Sequence, residues 1–437
     1  MKQNDNIEEK GKIGFWLSTS LVVGNMTGSG IFLLPAALAI YGGISIFGWI
    51  FTLSGSLFLA LVFSRLSRLT SKAGGPYTYS REGFGDFVGF LVAWGYWISI
   101  WCGNAAIAVA GVGYLSFFIP AIKDNHFVSA VLAIGSICLF TFINTKGIKK
   151  VGMVQFVTTI IKIIPLLLFG TFGFLYFDKA HFSPLNLSSV SNFDAVTATA
   201  ALTLWAFLGL ESATIPSDNV KNPQKTIPRA TLAGITIAAL LYISSTVSVM
   251  GIVSPADLQN SAAPFADAAQ QIWGKQASAL IAIGAAIACF GALNGWILLQ
   301  GQIPLAAARD QLFPKGFKRV SRNGIPVTGL IIASVLASIL VGINYSKGLV
   351  KMFSFIIMLS TLSCLLPYLF SSFSEIMLYL RKKVSFNKKR FVTALCISIP
   401  AFFYSLWAIT GLEAEILIWG ALLLLAGVPV YFYMKRR

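Results

Sequence analysis

The chain has 437 residues, of which 56% are hydrophobic and only 11% charged, with a mean hydropathy of +0.76. This excludes a soluble globular protein and a disordered one, and points to an integral membrane protein. The net charge of +17 would suggest a polyanionic partner in a soluble chain, but in a membrane chain the basic residues must first be sorted by loop.

Apolar runs of about twenty residues, enough to cross a hydrocarbon core of ~30 Å, predict about twelve helices. They fall at 13–40, 44–63, 84–118, 127–145, 151–177, 193–215, 230–253, 276–303, 325–344, 350–380, 391–410 and 415–434. The polar opening "MKQNDNIEEKGK" leads directly into the first of them without a small-residue cleavage pattern, so no cleavable signal is expected. An even number of crossings puts both ends on one side. Of the 33 Lys and Arg residues, 27 fall on the side of the N-terminus, five on the other, and Lys162 lies inside a span. Both termini are therefore expected in the cytoplasm, in the manner of a multi-pass protein of a bacterial-type inner membrane. The five cysteines all lie in apolar runs with no paired spacing, and read as packing residues rather than a metal site or disulfide framework.

In chain order, the first irregularity is "GNMTGSGIF" at 24–32, in the middle of the first span. Two readings fit it. Gly and Ser allow close helix packing in membranes; alternatively the helix is discontinuous and its freed amides receive an anion. A transporter built from repeats should carry a second interrupted span at the corresponding place in its other half. The sixth span supplies it in "LTLWAFLGLESATIPSDN", where Gly209 and Glu211 interrupt an apolar run just after Trp205. The paired breaks suggest two inverted halves of five helices.

The stretches "GNMTGSGIFLLPAALA", "AGGPYTYSREGFG", "YWISIWCGN", "LWAFLGLESA", "NGWILLQGQ" and "LPYLF" together resemble the amino acid/polyamine/organocation transporter superfamily over essentially the whole chain. They most resemble its bacterial arginine/agmatine antiporter branch. The resemblance implies an all-α membrane fold, a 5+5 inverted repeat with discontinuous helices 1 and 6, and alternating access around a central substrate. The implied organisation is a cytoplasmic tail at 1–12, a transport core at 13–380 with halves at 13–177 and 193–380, helices 11 and 12 within 391–434, and a cytoplasmic end at 435–437.

A zwitterionic amino acid must exchange the water around its carboxylate and ammonium for protein dipoles. Ser29 and the amides around Gly28 and Gly30 can donate to the carboxylate, while carbonyls near Met26, Trp205 and Leu208 can accept from the ammonium. By resemblance, Asn104, Ser360 and the carbonyls of Ser99 and Ile100 face a guanidinium, with Trp205 against the substrate's stem or cationic head. Trp296 is a gate, a pocket wall or a packing residue. Asn25, Gly28, Gly209 and Glu211 belong to the breaks. Ile107 stands where that branch carries a methionine, which alters pocket volume, and arginine is the leading expected substrate.

Lys162 is costly in mid-membrane unless it has a functional or polar environment. A lysine at this place resembles that of proton-coupled members and some exchangers, where it stands in for a cation, so two readings are open, a permanent internal cation or a titrating proton carrier, and no sodium requirement is expected. Glu211 is a second candidate proton carrier, a gate link or a neutral hydrogen-bonded acid. Tyr77 resembles a position tied to pH response; Glu375, His126 and His181 are read as structural.

The expected partners are an amino acid or amine, the lipid bilayer and, as an allowed assembly, a second copy of the chain; no nucleic acid, metal or cofactor is expected. The spans hold no catalytic constellation for an intramembrane enzyme, no continuous polar face for a channel, and no ATP-binding loop. The reading is a secondary transporter, with exchange of cationic amino acids and amines ahead of proton-coupled uptake.

Overall fold

The computed structural model describes residues 13–436 apart from 71, 73, 147, 216, 218, 219, 322 and 323; the side chains of residues 29, 123, 124 and 148–156 also lie outside the description. The expected 1–12 tail, the side chain of Ser29 and residue 437 are thus outside the described residues. Among the described residues the regular structure is helical, with one isolated bridge between Ile13 and Val220.

Among the described residues twelve segments are long and apolar enough to cross a membrane: Phe15–Ala39, Gly42–Leu69, Asp86–Leu115, His126–Thr145, Val157–Tyr176, Asn192–Thr214, Pro223–Ile252, Pro264–Arg309, Val327–Lys347, Leu349–Leu380, Lys388–Thr410 and Ala414–Lys435. The protein is a multi-pass membrane protein, and these are its first to twelfth spans. The ninth span displays the logic of a helix between protein and lipid. Ile331, Val335, Ile339 and Ile343, at intervals of four, are exposed, whereas Leu330, Ala333, Ser334, Ala337 and Val341 are buried. Small residues on the inward stripe let helix backbones come close, and the branched residues outside meet hydrocarbon.

Helix starts follow local chemistry. Pro223 and Pro264 open the seventh and eighth spans, where a missing N–H costs nothing. Ser191 opens the sixth: its hydroxyl accepts from the Asp194 amide and donates to the Asp194 carboxylate at 2.7 Å.

The third span is the axis of the molecule. Nearly every residue from Gly89 to Tyr114 is buried, against the eighth and tenth spans above all. The first span packs on the fifth and seventh. The eleventh and twelfth pack on the outside, mainly against the tenth. Arg65 holds Glu375 through two charge-assisted bonds of 2.6 and 2.7 Å and donates to the Arg390 carbonyl at 3.1 Å, so it joins the second, tenth and eleventh spans.

Most boundaries shift by a few residues, the second span reaching Leu69 rather than 63, and three differences from the prediction matter for the fold. The eighth runs from Pro264 to Arg309, with non-helical geometry at Gly274 (φ +82°), far beyond the predicted 276–303. The seventh begins at Pro223 rather than 230. Apolar runs mark only the part of a helix that lies in hydrocarbon, and the backbone keeps its hydrogen bonds beyond that boundary. The third difference is a helix at Pro76–Phe84 in the connection between the second and third spans, with Tyr77, Thr78, Tyr79 and Ser80 buried. Its nine residues are too few and too polar to register as a span.

Candidate functional site

The first span is broken where the glycines predict. Helix Phe15–Met26 ends, Thr27 and Gly28 leave helical geometry, and a second helix runs from Ser29 to Ala39. Such a break frees four carbonyls on one side and several N–H groups on the other. Each of the four carbonyls has a partner. Val23 accepts from the Thr27 amide and Met26 from the Gly28 amide, both at 2.7 Å. Gly24 accepts from Lys162 Nζ, and Asn25 from Trp296 Nε1 at 2.9 Å. Lys162 and Trp296 therefore complete the end of a half-helix, where its dipole favours a cation and an N–H donor. On the other side of the break the helix that starts at Ser29 is preceded by Gly28, which has no side chain to cap it, and Gly28 and Gly30 line a cavity.

The sixth span breaks at the same depth in the packing. Helix Asn192–Phe207 ends, Leu208 is extended, and Gly209 takes φ +104°, a left-handed conformation that strains any side chain. A Cβ on Gly209 would also lie 2.9 Å from Trp296 Cζ2 and 3.4 Å from the Asn25 carbonyl carbon, so the two breaks touch.

Between them lies the cavity, lined by Asn25, Met26, Gly28, Gly30, Tyr96, Ser99, Ile100, Gly103, Ile107, Trp205, Leu208, Glu211, Trp296, Ser360 and Cys364. Its volume is about 20 Å³ measured to the centres of water-sized spheres, which is room for little more than one water. A solute the size of lysine fits only after side chains withdraw. The Trp205 ring lies in a slot formed by two glycines: a Cβ on Gly30 would sit 2.6 Å from its Cδ1, and one on Gly103 2.9 Å from its Cη2. Ser360 donates to the Ser99 carbonyl at 2.7 Å, which ties the tenth span to the third beside the cavity.

Glu211 is fully buried. Its carboxylate accepts from the hydroxyls of Tyr96, on the third span, and Tyr368, on the tenth, the latter at 2.8 Å. The acid is compensated by two neutral donors rather than by a cation, and it joins the break of the sixth span to two others.

Of the residues singled out from the sequence, Asn25, Met26, Gly28, Gly30, Ser99, Ile100, Trp205, Leu208, Glu211, Trp296 and Ser360 all line this cavity, and Gly209 adjoins it. Asn104 and Lys162 do not line it. Asn104 is buried beside it and donates to Gln300 Oε1 at 2.7 Å; Lys162 stands behind the first break. Tyr77, on the Pro76–Phe84 helix, donates to Asp310 at 2.6 Å, and Arg81 bridges Asp310 and Asp86 at 2.7 and 2.8 Å. Burial first, and then the hydrogen bond to Asp310, push the Tyr77 phenol well above its usual range.

Sequence reasoning missed Tyr96, Tyr368, Cys364 and Gln300. Tyr96 and Tyr368 lie in "YWISIWCGN" and "LPYLF", and their signal was a polar ring tip in an apolar run, which when buried calls for a hydrogen-bond partner.

The sequence profile described as amino acid permease matches residues 13–434. The chain is 35% identical to the cadaverine/lysine antiporter of Escherichia coli (strain K12) over 394 residues, covering 88% of this chain and 86% of that one. It is 32% identical to the putrescine transporter PotE of Haemophilus influenzae, covering 98% of each. A Bacillus subtilis (strain 168) protein provisionally named an arginine/ornithine antiporter is 33% identical, with 99% of this chain and 98% of that one covered. With two broken spans enclosing one cavity and these matches along its whole length, the chain belongs to the amino acid permease family of the amino acid/polyamine/organocation superfamily.

Proposed function

We propose that the protein exchanges a cationic amino acid for another, or for a decarboxylated amine, by alternating access at the cavity between the two helix breaks. The observation that carries this reading is the composition of that cavity. It offers half-helix amides, backbone carbonyls, serine hydroxyls and an indole face, and Glu211, its one carboxylate among the described residues, is already engaged by Tyr96 and Tyr368. A pocket that binds a cation through neutral acceptors and an aromatic face accepts lysine-like and diamine-like solutes alike.

In this mechanism the substrate carboxylate takes the N–H groups at the start of helix Ser29–Ala39, at its positive end. The α-ammonium takes the carbonyls of Met26 and Trp205; each is engaged once in the structure, at 2.7 and 3.2 Å, and keeps a second lone pair. The cationic side chain lies along Trp205 toward Ser99, Ile100 and Asn104. Trp296, bonded to Asn25, closes the cavity on one side, and the Glu211–tyrosine link holds it on the other. The first five and next five spans act as inverted halves, supported by breaks five spans apart.

The names of the relatives, which mention lysine, cadaverine, putrescine, arginine and ornithine, make lysine and ornithine candidates alongside arginine. The Lys and Arg distribution supports both termini in the cytoplasm and a bacterial-type inner membrane. Lys162 favours a second reading, proton-coupled uptake, because a buried ammonium at the end of the first half-helix can act as a removable cation.

Counterflow in proteoliposomes separates the two. Labelled lysine should enter vesicles loaded with lysine, arginine, ornithine, cadaverine, putrescine or agmatine and stay out of empty ones, with sodium and choline buffers equivalent. Uptake into empty vesicles driven by a pH gradient alone would replace exchange with proton-coupled uptake.

A further inference from the structure

Resting on the reading of Asn104 as part of the cationic-substrate site, we propose that Gln300 is a specificity-determining positioning residue. Through it, a relay of hydrogen-bond directions holds the Asn104 amide with its oxygen, not its nitrogen, free for the substrate's cationic N–H groups.

The direction of every bond in the relay is set by backbone carbonyls, which can only accept. Thr141 Oγ1 lies 2.7 Å from the Ile137 carbonyl, so the single hydroxyl hydrogen of Thr141 points there. The same oxygen lies 2.6 Å from Ser334 Oγ. With its hydrogen committed, Thr141 accepts and Ser334 donates. Ser334 has then also used its hydrogen, so at 2.8 Å its oxygen faces a donor, the Gln300 Nε2 amide.

A second anchor gives the same answer independently. The Leu330 carbonyl lies 3.0 Å from that nitrogen and cannot face an oxygen. The Gln300 amide therefore has one orientation, with Oε1 2.7 Å from Asn104. The Asn104 atom facing it must be the nitrogen, because two carbonyl oxygens at that distance repel.

Asn104 Oδ1 is what remains. Asn104 is fully buried, and Oδ1 has no hydrogen-bond partner among the described residues. A buried acceptor in that condition is destabilising until a donor arrives. On an α-helix Asn104 is one residue from Gly103 and one turn, about 40° around the axis, from Ile100, and both of these line the cavity. It flanks the lining face, behind which Gln300 is anchored. A lysine-like ammonium or a diamine carries donors only and matches a free acceptor; the flipped amide would present N–H groups to a cation and repel it. The relay runs from the fourth span through the ninth and eighth to the third, so residues outside the cavity choose the sign of the dipole offered there.

The test is binding to the purified protein by isothermal titration calorimetry, with lysine and with norleucine, which has the same backbone and lacks the side-chain ammonium. Gln300→Met keeps the approximate volume and removes the relay. It should weaken lysine about tenfold, equivalent to about 1.4 kcal/mol, and leave norleucine unchanged. Adding Asn104→Asp to that variant should bring lysine back to within about threefold, since both oxygens of the new side chain accept. Should Gln300→Met not fold, Gln300→Asn, one methylene too short to span both anchors, gives the same comparison.

Unchanged lysine affinity in these Gln300 variants, with Asn104→Ala weakening lysine selectively, would overturn the relay and leave the site reading standing. If Asn104→Ala leaves the ratio of lysine to norleucine affinity unchanged, the site reading itself falls.

Discussion

Glu211→Ala should reduce exchange at least a hundredfold in counterflow, while Glu211→Gln should stay within about tenfold of the parent. The reason lies in the two tyrosines. In the alanine variant the hydroxyls of Tyr96 and Tyr368, both buried, lose their common acceptor. Each unpaired donor costs about 1–3 kcal/mol, and the sixth span is released from the third and tenth beside its own break. Glutamine offers one oxygen to one tyrosine and an N–H to the oxygen of the other, so the link survives with altered polarity. The alternative role for Glu211, carriage of a proton, predicts the opposite for the amide: a group that cannot ionise would be as inactive as alanine. The comparison of the two variants, on protein of equal monodispersity, decides between link and carrier.

Lys162→Met is expected to lower exchange by a factor of ten to a hundred. Methionine has nearly the length of lysine and fills the same fully buried site, but it cannot donate to the Gly24 carbonyl. That carbonyl belongs to the last turn of helix Phe15–Met26 and has no N–H of its own helix to accept from, because the helix stops before residue 28. An unpaired buried carbonyl at about 1–3 kcal/mol corresponds to one or two decades in the population of the broken helix. Exchange at the parent rate in Lys162→Met would show that the ammonium is dispensable, and would remove the proton-coupled reading with it.

The sequence carried the architecture because membrane crossing is a local, additive property. A run of apolar residues is legible without knowledge of what it packs against, and all twelve spans were visible in this way. The breaks were legible as a pair: glycine at position 28 alone also suits close packing of a continuous helix, but Gly209 interrupts an apolar run at the corresponding place five spans later. Long-range pairing was not legible. Tyr96 meets Glu211 across 115 positions, Tyr368 meets it across 157, and Asn104 meets Gln300 across 196. No periodicity encodes such distances. Gln300 looks like any of the polar residues of "NGWILLQGQ", no different from Asn294 or Gln302, until the ninth span supplies Leu330 and Ser334. The Pro76–Phe84 helix escaped notice because hydropathy weighs exposure to lipid, and this helix is buried against protein. Asn104 is instructive in both directions. Its motif placed it in the pocket, whereas the structure has it one step behind the lining, held by a neighbour that the motif did not include.

The central claim is that two interrupted spans leave backbone groups at mid-membrane depth for a charged solute to complete. An experimental structure with bound lysine tests it most directly. The account predicts the lysine carboxylate within hydrogen-bonding distance of the amides at Gly28–Gly30, its α-ammonium at the carbonyls of Met26 and Trp205, and Trp205 along its stem. A first span wound without interruption through Thr27 and Gly28, or lysine bound away from both breaks, would contradict it.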